Sequence, residues 1–526
     1  MTFAPPTSIL PATPPATPSA ARPERLAGML AAQALRQPHA PALHEGGRDI
    51  GYGELWQAVR DTAAQLGALG IRPGDRVAVV GENSLAQICL VFAAGLCDAW
   101  IVCLNARLAA REVDQVLGHC GARRAFYTDG VSPDAAAHGA RHGALRVPAP
   151  APVGHWLAGP LNQAARPEPV HADGGRQCAA LLYTSGTTGR PKGVMLSHRS
   201  LLYVAEMSAT LRRLVPGDRA CGVLPLSHVY GLASVLLGTL HAGACLHLLP
   251  RFTPDGLLGA LRSGGITILQ GVPALYARLL DAAGTPVAPA LRFLYAGGSP
   301  LTPALKARVE AAFGLPLHNG YGMTETAPTI CQTSPDAPRG DTSVGQPIPG
   351  VETRIGGGDG EDEGELWVRG PNVMLGYYRD AAQTAAVLRP DGWLNTGDVV
   401  RHGAGGALFI VGRTKEVIVR SGFNVYPLEV ETLLNEHPRV AQAAVVGRPA
   451  AAGDEQVIAF VEARGAADGA LAGTLRGWLA GQLAPYKVPA HVVVLAALPA
   501  GATGKVLKAA LRDIACAPGF PGDILT

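Results

Sequence analysis

One segment of the sequence combines glycines, hydroxyl side chains and a lysine in an arrangement that suits phosphate binding. It follows the apolar stretch 179–183, which predicts a β-strand, and it reads Thr184, Ser185, Gly186, Thr187, Thr188, Gly189, Arg190, Pro191, Lys192, Gly193. Glycines let backbone N–H groups curl around an anion, hydroxyls add donors, and a lysine supplies a point charge. Pro191 stands where the GxxxxGK[ST] pattern requires its second glycine, which excludes a P-loop NTPase. The segment therefore predicts a phosphate-cradling loop of another kind.

Five further motifs follow this loop in a fixed order. They are Tyr321-Gly322-Met323-Thr324-Glu325, Asn395-Thr396-Gly397-Asp398, Gly412-Arg413-Thr414-Lys415, Gly422-Phe423-Asn424-Val425-Tyr426-Pro427 and Gly504-Lys505. Together with the loop, they resemble the signature of the adenylate-forming superfamily of acyl-CoA synthetases, adenylation domains and luciferases. The resemblance covers roughly residues 25–515.

The reaction that this resemblance implies begins with a carboxylic acid attacking ATP. A carboxylate repels the phosphates that it must approach, so the site must neutralise that charge. The resemblance assigns Lys505 to the space between the acid and the α-phosphate, Thr324 to the α-phosphate, and Glu325 to Mg²⁺. Within the loop it assigns the β- and γ-phosphates to Thr184, Thr188 and Lys192, and further nucleotide contacts to Ser185, Gly186, Thr187 and Gly189.

The nucleoside contacts are also implied by the resemblance. The ring of Tyr321 would lie against adenine, and Asp398, assisted by Arg413, would accept hydrogen bonds from both ribose hydroxyls. An aspartate in a Thr-Gly-Asp sequence is also a common turn former, but its place in the motif order favours the ligand. The backbone positions that would approach the nucleotide are Gly297, Gly298, Asn319, Gly320 and Gly322.

The acyl pocket is the least constrained part of the predicted site. Its candidate residues are His228, Tyr230, Gly231, Tyr295, Ala296 and Gly297. None of them carries a cation, and Gly320 stands where malonate-activating relatives have an arginine. A second buried carboxylate would need a partner, so we expect an apolar fatty or medium-chain monocarboxylate, with an aryl acid as the alternative. His228 is equally compatible with a hydrogen-bonded core histidine.

Thioester formation requires a second geometry, because pyrophosphate must leave before a thiol reaches the acyl carbon. The resemblance implies that the C-terminal domain rotates about Lys415. It also implies that coenzyme A meets Arg420, Ser421, Gly422 and Phe423, with Gly422 lining the pantetheine tunnel. Gly422 is also compatible with a simple turn.

Short apolar runs alternate with helical patterns in the first part of the chain, which is typical of parallel sheets covered by helices. The predicted strands are 76–80, 100–104, 179–183, 267–270 and 292–295. The predicted helices include 84–96 and a second helix whose first part is 110–117. After Gly364, closely spaced strands such as 365–369 and 407–411 predict a small β subdomain.

Beyond Arg413 the pattern predicts a separate α+β unit. Its predicted strands are 416–420, 441–447, 457–462 and 491–495, and its predicted helices are 427–435, 471–483 and 505–513. We therefore expect an α/β protein with a disordered tail at 1–24, an AMP-binding domain at 25–412 and a small mobile C-terminal lid at 413–526.

Composition narrows the possible partners. Of the 526 residues, 48% are apolar and 16% are charged, which excludes wholesale disorder. The net charge is +3 and the sequence has no basic block, so nucleic acid is not the expected partner. The nine cysteines show no CxxC spacing, so we expect reduced thiols and a cytoplasmic location. The stretch 220–250 lacks charges, but prolines and histidines interrupt it, so we expect no transmembrane segment.

We therefore expect an acyl-CoA synthetase that uses ATP, Mg²⁺ and coenzyme A and releases AMP and pyrophosphate. The oligomeric state is open, and a homodimer is compatible with the sequence. Transfer to a separate carrier protein is the nearest alternative, followed by a luciferase-like oxygenase. A non-catalytic acyl- or nucleotide-binding regulator is an alternative of another class, although Lys505, Glu325, Asp398 and Arg413 are all present.

Overall fold

The structure is a computed structural model that describes residues 23–184, 192–283, 285–356, 362–420, 423–450, 454–501 and 506–520. The predicted tail lies outside this range except for Pro23 and Glu24. Glu24 accepts a hydrogen bond from the backbone N–H of Gly174 at 2.5 Å. The first described residues therefore contact the first domain.

Two large sheets form the first domain, as the alternating pattern predicts. In the described chain the eight-stranded sheet runs, in spatial order, Gly376–Tyr377, Lys192–Ser197, Cys178–Thr184, Trp100–Asn105, Arg76–Gly81, Arg124–Tyr127, His155–Ala158, Leu145–Pro148. The nine-stranded sheet runs Gln346–Pro347, Thr329–Gln332, Leu317–Gly322, Phe293–Gly297, Ile268–Gly271, Arg219–Gly222, Cys245–Leu248, Pro41–Glu45, Arg48–Gly51. Both sheets are parallel in the centre and antiparallel at their edges.

Helices cover these sheets, and the largest hydrophobic cluster among the described residues includes side chains of Leu26–Arg36, Tyr52–Ala68, Leu85–Leu96 and His198–Leu211. The α-helices described in this domain are Leu26–Arg36, Tyr52–Ala68, Leu85–Leu96, Ala110–Cys120, Pro133–Arg141, His198–Leu211, Gly238–His241, Pro254–Ser263, Pro273–Ala283, Pro303–Phe313 and Ala381–Val387. A π-helix spans Tyr230–Leu237, and 3₁₀ turns span Thr324–Thr326 and Ala404–Gly406. Helix Leu85–Leu96 is apolar on all sides and is capped by Ser84, which accepts from the N–H of Gln87. Such a helix must be buried, since it offers no polar face to water.

The small β subdomain is an antiparallel sheet. Its described strands are Glu352–Gly356, Glu363–Arg369, Leu394–His402 and Leu408–Arg413, in that spatial order. Arg413 is thus the last residue of a strand, and its register partner is Asp398. The strand continues one residue past the predicted domain boundary at 412.

The C-terminal unit has its own hydrophobic core. The hairpin Ile418–Arg420 and Phe423–Val425 precedes a sheet of Val440–Pro449, Glu455–Ala463 and His491–Leu495, packed with helices Pro427–Glu436, Leu471–Ala480 and Lys508–Cys516. This is the predicted α+β arrangement. None of the helices in the described part of the chain is long and apolar enough to cross a membrane.

Several predicted boundaries in this unit are wrong, including the end of the last helix, which was predicted at 513 and lies at Cys516. The strand predicted from 416 begins at Ile418, because Thr414–Glu416 form a 3₁₀ turn. The helix predicted to reach 483 ends at Ala480, where Gly481 follows; glycine is a poor helix residue. The helix predicted from 505 begins at Lys508, because Val506 pairs with Ala500 in an extended bridge.

Candidate active site

Thr184 and Lys192 lie opposite each other at one end of the antiparallel pair Cys178–Thr184 and Lys192–Ser197. The loop that joins them contains Ser185, Gly186, Thr187, Thr188 and Gly189, which lie outside the described residues. The two described ends of the predicted phosphate loop are therefore held together by a hairpin.

Lys192 and Glu325 are brought together by a tyrosine. Strand Gly376–Tyr377 pairs with the strand that begins at Lys192, and the hydroxyl of Tyr377 donates to Oε1 of Glu325 at 2.8 Å. The Lys192 ammonium lies 5.1 Å from the centroid of the Tyr377 ring. Burial, and then the Glu325 charge, raises the pKa of Tyr377, so the hydroxyl stays protonated and remains a donor. Glu325 follows Thr324 in the 3₁₀ turn, and both side chains are buried.

Tyr321, Asp398 and Arg413 form a second group. Arg413 donates from Nε to Oδ1 of Asp398 at 2.8 Å, and the Tyr321 hydroxyl donates to Oδ2. Asp398 is buried, and its own N–H donates to the hydroxyl of Thr396. Burial, and then the Asp398 charge, raises the pKa of Tyr321 well above its usual range. The three predicted nucleoside residues therefore meet around one carboxylate that is fixed at both oxygens.

The predicted acyl residues Tyr230, Tyr295 and Gly297 also converge. A Cβ atom added to Gly297 would lie 3.4 Å from Cε1 of Tyr295, 3.6 Å from Cε1 of Tyr230 and 3.4 Å from the carbonyl oxygen of Gly320. A Cβ atom at Gly320 would lie only 1.7 Å from the Tyr295 hydroxyl oxygen. The space beside Gly320 is thus filled by Tyr295. Gly298 follows with φ +80 and turns the chain away from the strand.

Arg212 lies against this group, although the sequence analysis did not select it. Its guanidinium carbon is 4.1 Å from the centroid of the Tyr295 ring. Its Nη1 donates to Oε1 of Gln270 and its Nε to Oε1 of Gln332 at 3.4 Å. Burial raises the pKa of Tyr295, and the positive charge of Arg212 opposes that shift.

Several predicted residues have other surroundings. The side chain of Ala296 packs in the cluster on the opposite face of its strand, because alternate residues of a strand face opposite sides; its place in the acyl pocket stays a prediction. The amide of Asn319 is engaged by the backbone, since Nδ2 donates to the carbonyls of Thr342 and Ser343. The missing Cβ of Gly231 makes room for the carbonyl of Pro225.

Two other predicted positions are defined by the backbone beside them. His228 accepts from the N–H of Tyr230 at 3.2 Å. A Cβ atom at Gly322 would lie 1.9 Å from the carbonyl oxygen of Pro328. At Gly322 a glycine is therefore required for close packing of two backbone segments.

The predicted hinge lies between two anchored residues. The Thr414 hydroxyl donates to Glu365 of the β subdomain at 2.8 Å. Glu416 is paired at 2.6 Å with Lys508 of the C-terminal unit, which also contacts Glu431. Lys415, between them, is exposed.

The predicted coenzyme A segment is only partly described. Arg420 donates from Nη1 to the carbonyls of Tyr486 and Val488, and the exposed ring of Phe423 stacks on Tyr486 at 4.5 Å. Ser421, Gly422 and Lys505 lie outside the described residues. The structure thus fixes the two described ends of this segment within the C-terminal unit.

The two residues that the sequence analysis missed, Tyr377 and Arg212, left weak local signals. Tyr377 stands in an aromatic pair after Gly376. Arg212 falls on the buried side of helix His198–Leu211, at helical spacing from Leu201, Ala205 and Ser208. An arginine at such a position is unusual, because arginine is almost never fully buried unless it is paired.

Comparisons with known proteins agree with this arrangement. A family model described as AMP-binding enzyme matches residues 30–378, and one described as AMP-binding enzyme C-terminal domain matches residues 429–505. This chain belongs to the AMP-binding enzyme family. The adenylate-forming resemblance is confirmed, and this AMP-binding enzyme is an AMP-forming acyl-CoA ligase for which ATP, Mg²⁺ and coenzyme A are the expected cofactors and co-substrates.

Individual relatives of this AMP-binding enzyme extend over most of its length. A feruloyl-CoA synthase of an Amycolatopsis species is 36% identical over 503 residues, which cover 91% of this chain and 97% of the relative. An indoleacetate–CoA ligase of Aromatoleum aromaticum is 36% identical over 496 residues, with coverage of 92% and 97%. The crystal structure of ATP-bound MatB from Rhodopseudomonas palustris has a TM-score of 0.80 at 31% identity, with coverage of 93% and 98%.

Proposed function

We propose that this acyl-CoA ligase activates a compact, ring-bearing carboxylic acid rather than a long aliphatic one. The observation that carries the proposal is the contact of Tyr295 with Gly320, where the hydroxyl oxygen would be 1.7 Å from a Cβ atom. We propose that the ring closes this side of the acyl pocket, so that a long chain cannot extend past it. Aromatic walls also favour a planar substrate, because ring pairs gain from edge and offset contacts.

The relatives support the same substrate class. Feruloyl-CoA synthase and indoleacetate–CoA ligase are named for acids that contain an aromatic ring, and both are 36% identical to this chain. Of the two acid classes that the sequence leaves open, the aryl acid is therefore the one that we propose.

For adenylation, we propose that Lys192 and Glu325 act at the phosphates and that Lys505 acts at the attacking carboxylate. Within the described residues, no group of three or more His, Cys, Asp or Glu side chains could hold a metal by itself. A single carboxylate fits Mg²⁺, which takes its remaining ligands from phosphate and water and, when bound, neutralises phosphate charge. The hydrogen bond from Tyr377 orients that carboxylate.

For the nucleoside, we propose that Asp398 accepts hydrogen bonds from the ribose. Its two oxygens already accept from Arg413 and Tyr321, which fixes the carboxylate in one orientation. A preoriented acceptor loses little entropy on binding, and this favours the ligand role over a turn role.

For the second half-reaction, we propose rotation of a lid domain about Lys415. Thr414 is bonded to the β subdomain and Glu416 to the C-terminal unit, so a change in backbone dihedrals at Lys415 would move one unit relative to the other. We therefore propose that the two units meet at 414–416, close to the boundary at 412 that the sequence predicts. An ion pair between Arg464 and Asp281, at 3.2 Å, joins the two units in this structure.

A cytoplasmic location is supported by the thiols. Each of the nine cysteines is free, and eight of them are wholly or partly buried. Free thiols persist in reducing compartments.

The proposed function is tested by acid-dependent ATP–pyrophosphate exchange with purified protein and Mg²⁺. The acids are aryl acids, such as ferulate and indole-3-acetate, and straight-chain acids of matched carbon number, followed by thioester assays with coenzyme A and a holo-carrier protein side by side. We expect higher kcat/KM for the aryl acids and thioester formation with coenzyme A. A preference for straight-chain acids, or exclusive transfer to the carrier, would contradict the proposal.

The role of Lys505 is tested in the same assay. Lys505→Ala should abolish acid-dependent exchange but largely spare thioester formation from supplied acyl-AMP, because only adenylation places this charge at the α-phosphate. The matched control is Arg512→Ala, which removes an exposed cation from helix Lys508–Cys516 and should leave both half-reactions intact. Equal loss of both half-reactions in Lys505→Ala would contradict the assignment.

A further inference from the structure

Arg212 is a cation enclosed by protein beside the proposed acyl pocket. It is 1% exposed, at the carboxyl end of helix His198–Leu211. Across the described part of the chain, no carboxylate oxygen is paired with its guanidinium. Its hydrogen bonds go to two neutral amide oxygens, those of Gln270 and Gln332, it also interacts with the hydroxyl of Tyr295, and its charge faces the ring of the same tyrosine.

This arrangement leaves the guanidinium incompletely satisfied. An arginine has five N–H donors in a planar fork. The two glutamines accept from two of them, and the ring of Tyr295 offers only its π-face or its hydroxyl. Buried charges in proteins are normally paired, because an unpaired one loses its hydration without compensation. The helix end supplies only a partial negative charge.

Two further polar groups beside Arg212 are also unpartnered among the described residues. The hydroxyl of Tyr230 and Nε2 of Gln270 are buried and have no hydrogen-bond partner. The Tyr230 and Tyr295 rings meet edge to face with centroids 6.3 Å apart, and Gln270 is bonded to Arg212 through its other atom. A hydroxyl, an amide N–H₂ and a guanidinium thus present donors in one place.

Such a set of donors is suited to an acceptor oxygen on a ligand. Tyr230, Tyr295 and Gly297 form the acyl pocket in the proposed function, and Arg212 stacks on one of its rings. An acid whose reacting carboxylate faces the phosphate loop would direct its remote end towards these rings. Hydroxyl and amide donors can bind a neutral oxo group as well as a carboxylate. The guanidinium strengthens the preference for such an oxygen-bearing group over a hydrocarbon group at the same position.

We propose that Arg212, with Tyr230 and Gln270, is a specificity-determining group that selects carboxylic acids carrying a second acceptor oxygen, an oxo or carboxylate group, at the end remote from the reacting carboxylate. This inference rests on the proposed function, because it concerns the far end of the same acyl pocket. It replaces the expectation of a wholly apolar acid, which was drawn from residues at other positions.

The test compares three acids that share one phenylpropanoate skeleton: 3-phenylpropanoate, 3-(4-acetylphenyl)propanoate and 3-(4-carboxyphenyl)propanoate. Acid-dependent ATP–pyrophosphate exchange gives kcat/KM for each acid with the wild-type enzyme. We expect at least one of the two oxygen-bearing acids to exceed phenylpropanoate by roughly 10- to 100-fold, the range of a hydrogen bond to a charged group. The better of the two identifies the oxo or the carboxylate form.

Two variants then test Arg212 itself. Arg212→Met keeps the length and removes the charge, and it should lower that ratio by roughly 10- to 100-fold. Arg212→Lys, which keeps the charge but loses the fork, should restore part of the ratio. The matched control is Arg213→Gln, which replaces the exposed neighbour that pairs with Asp336 and should leave the ratio unchanged.

The results separate this inference from the proposed function. If the wild type discriminates none of the three acids while it activates phenylpropanoate, the inference fails and the ring-acid function stands. If the wild type activates none of them but activates straight-chain acids, the proposed function fails. A ratio that is equal in wild type and Arg212→Met, with both proteins folded by thermal unfolding, overturns the role of Arg212. If Arg212→Met does not fold, the ratio measured in Arg212→Lys decides in its place.

Discussion

Replacement of Gly320 by alanine should disturb the acyl pocket in a measurable way. The new Cβ atom would lie 1.7 Å from the Tyr295 hydroxyl oxygen, 2.7 Å from Cζ of the same ring and 2.9 Å from the carbonyl oxygen of Cys331. The hydroxyl must retreat by about 1.5 Å to reach van der Waals separation. The ring has little room, because Arg212 is stacked 4.1 Å from its centroid.

The expected cost follows from overpacking. Extra atoms in a well-packed core cost about 1 to 3 kcal/mol, and this site belongs at the upper end because one of the three contacts is to backbone. In a domain of this size, the apparent Tm should fall by roughly 2 to 4 °C. The assay is thermal unfolding by differential scanning fluorimetry, combined with kcat/KM for aryl acids, which should fall with the displaced ring.

A double-mutant cycle identifies the cause. Tyr295→Leu alone should destabilise the protein by creating space, but in that background Gly320→Ala should cost about 1 to 2 kcal/mol less than in the wild type. The matched control is Gly118→Ala, within helix Ala110–Cys120, where an added Cβ atom meets nothing within 4 Å. A Gly320→Ala protein with wild-type Tm, or strictly additive effects in the cycle, would refute the reasoning.

Three further predictions concern the hydrogen bond at Glu325, the hinge and acid stability. Tyr377→Phe keeps the ring near Lys192 but removes the donor to Glu325. The rate of ATP–pyrophosphate exchange should therefore fall about 10-fold, and the Mg²⁺ concentration needed for half-maximal exchange should rise. Lys415→Pro should impair thioester formation more than exchange, because it restricts the dihedrals about which the lid rotates. Burial, then Arg25, lowers the pKa of His198 to about 3. Below pH 6.5 this histidine is therefore protonated in the unfolded chain but not in the folded one. The free energy of unfolding should decrease by about 2 kcal/mol from pH 7 to pH 5.

Each of these has an outcome that would contradict it. Unchanged exchange and Mg²⁺ dependence in Tyr377→Phe would remove the hydroxyl from the site. Equal loss of both half-reactions, or no loss, in Lys415→Pro would displace the hinge. For His198, the comparison is His198→Gln, whose glutamine retains an acceptor for the N–H of Leu26; a pH dependence of Tm identical to that of the wild type would show that His198 is not responsible.

Much of the fold was predictable because the relevant signals are local. Apolar runs such as Arg76–Gly81 and Trp100–Asn105 are buried along their whole length, and this is what strands covered on both faces require. Capping residues such as Ser84 set a helix start within a residue. The boundaries that failed, at 416 and 505, lie where a 3₁₀ turn or an isolated bridge replaces a regular element, and periodicity carries no information there.

The site was most readily predicted where its residues belong to contiguous motifs. Tyr321, Asp398 and Arg413 were each in such a motif, and they meet. Arg212 was not, because its partners Gln270 and Gln332 are 58 and 120 residues away in sequence. Contacts of that kind depend on tertiary packing, which spacing along one chain does not reveal.

In the rotation that we propose, the short joint at 414–416 would set how the two units change their relative position. A long flexible linker would let the lid diffuse, and its effective concentration over the nucleotide would fall with linker length. Here the fastened residues on either side, Thr414 and Glu416, keep the lid within reach at all times. The rate at which the C-terminal unit moves back over the nucleotide would then depend on torsional barriers and on contacts such as that of Arg464 with Asp281. It would not depend on the concentration of the enzyme.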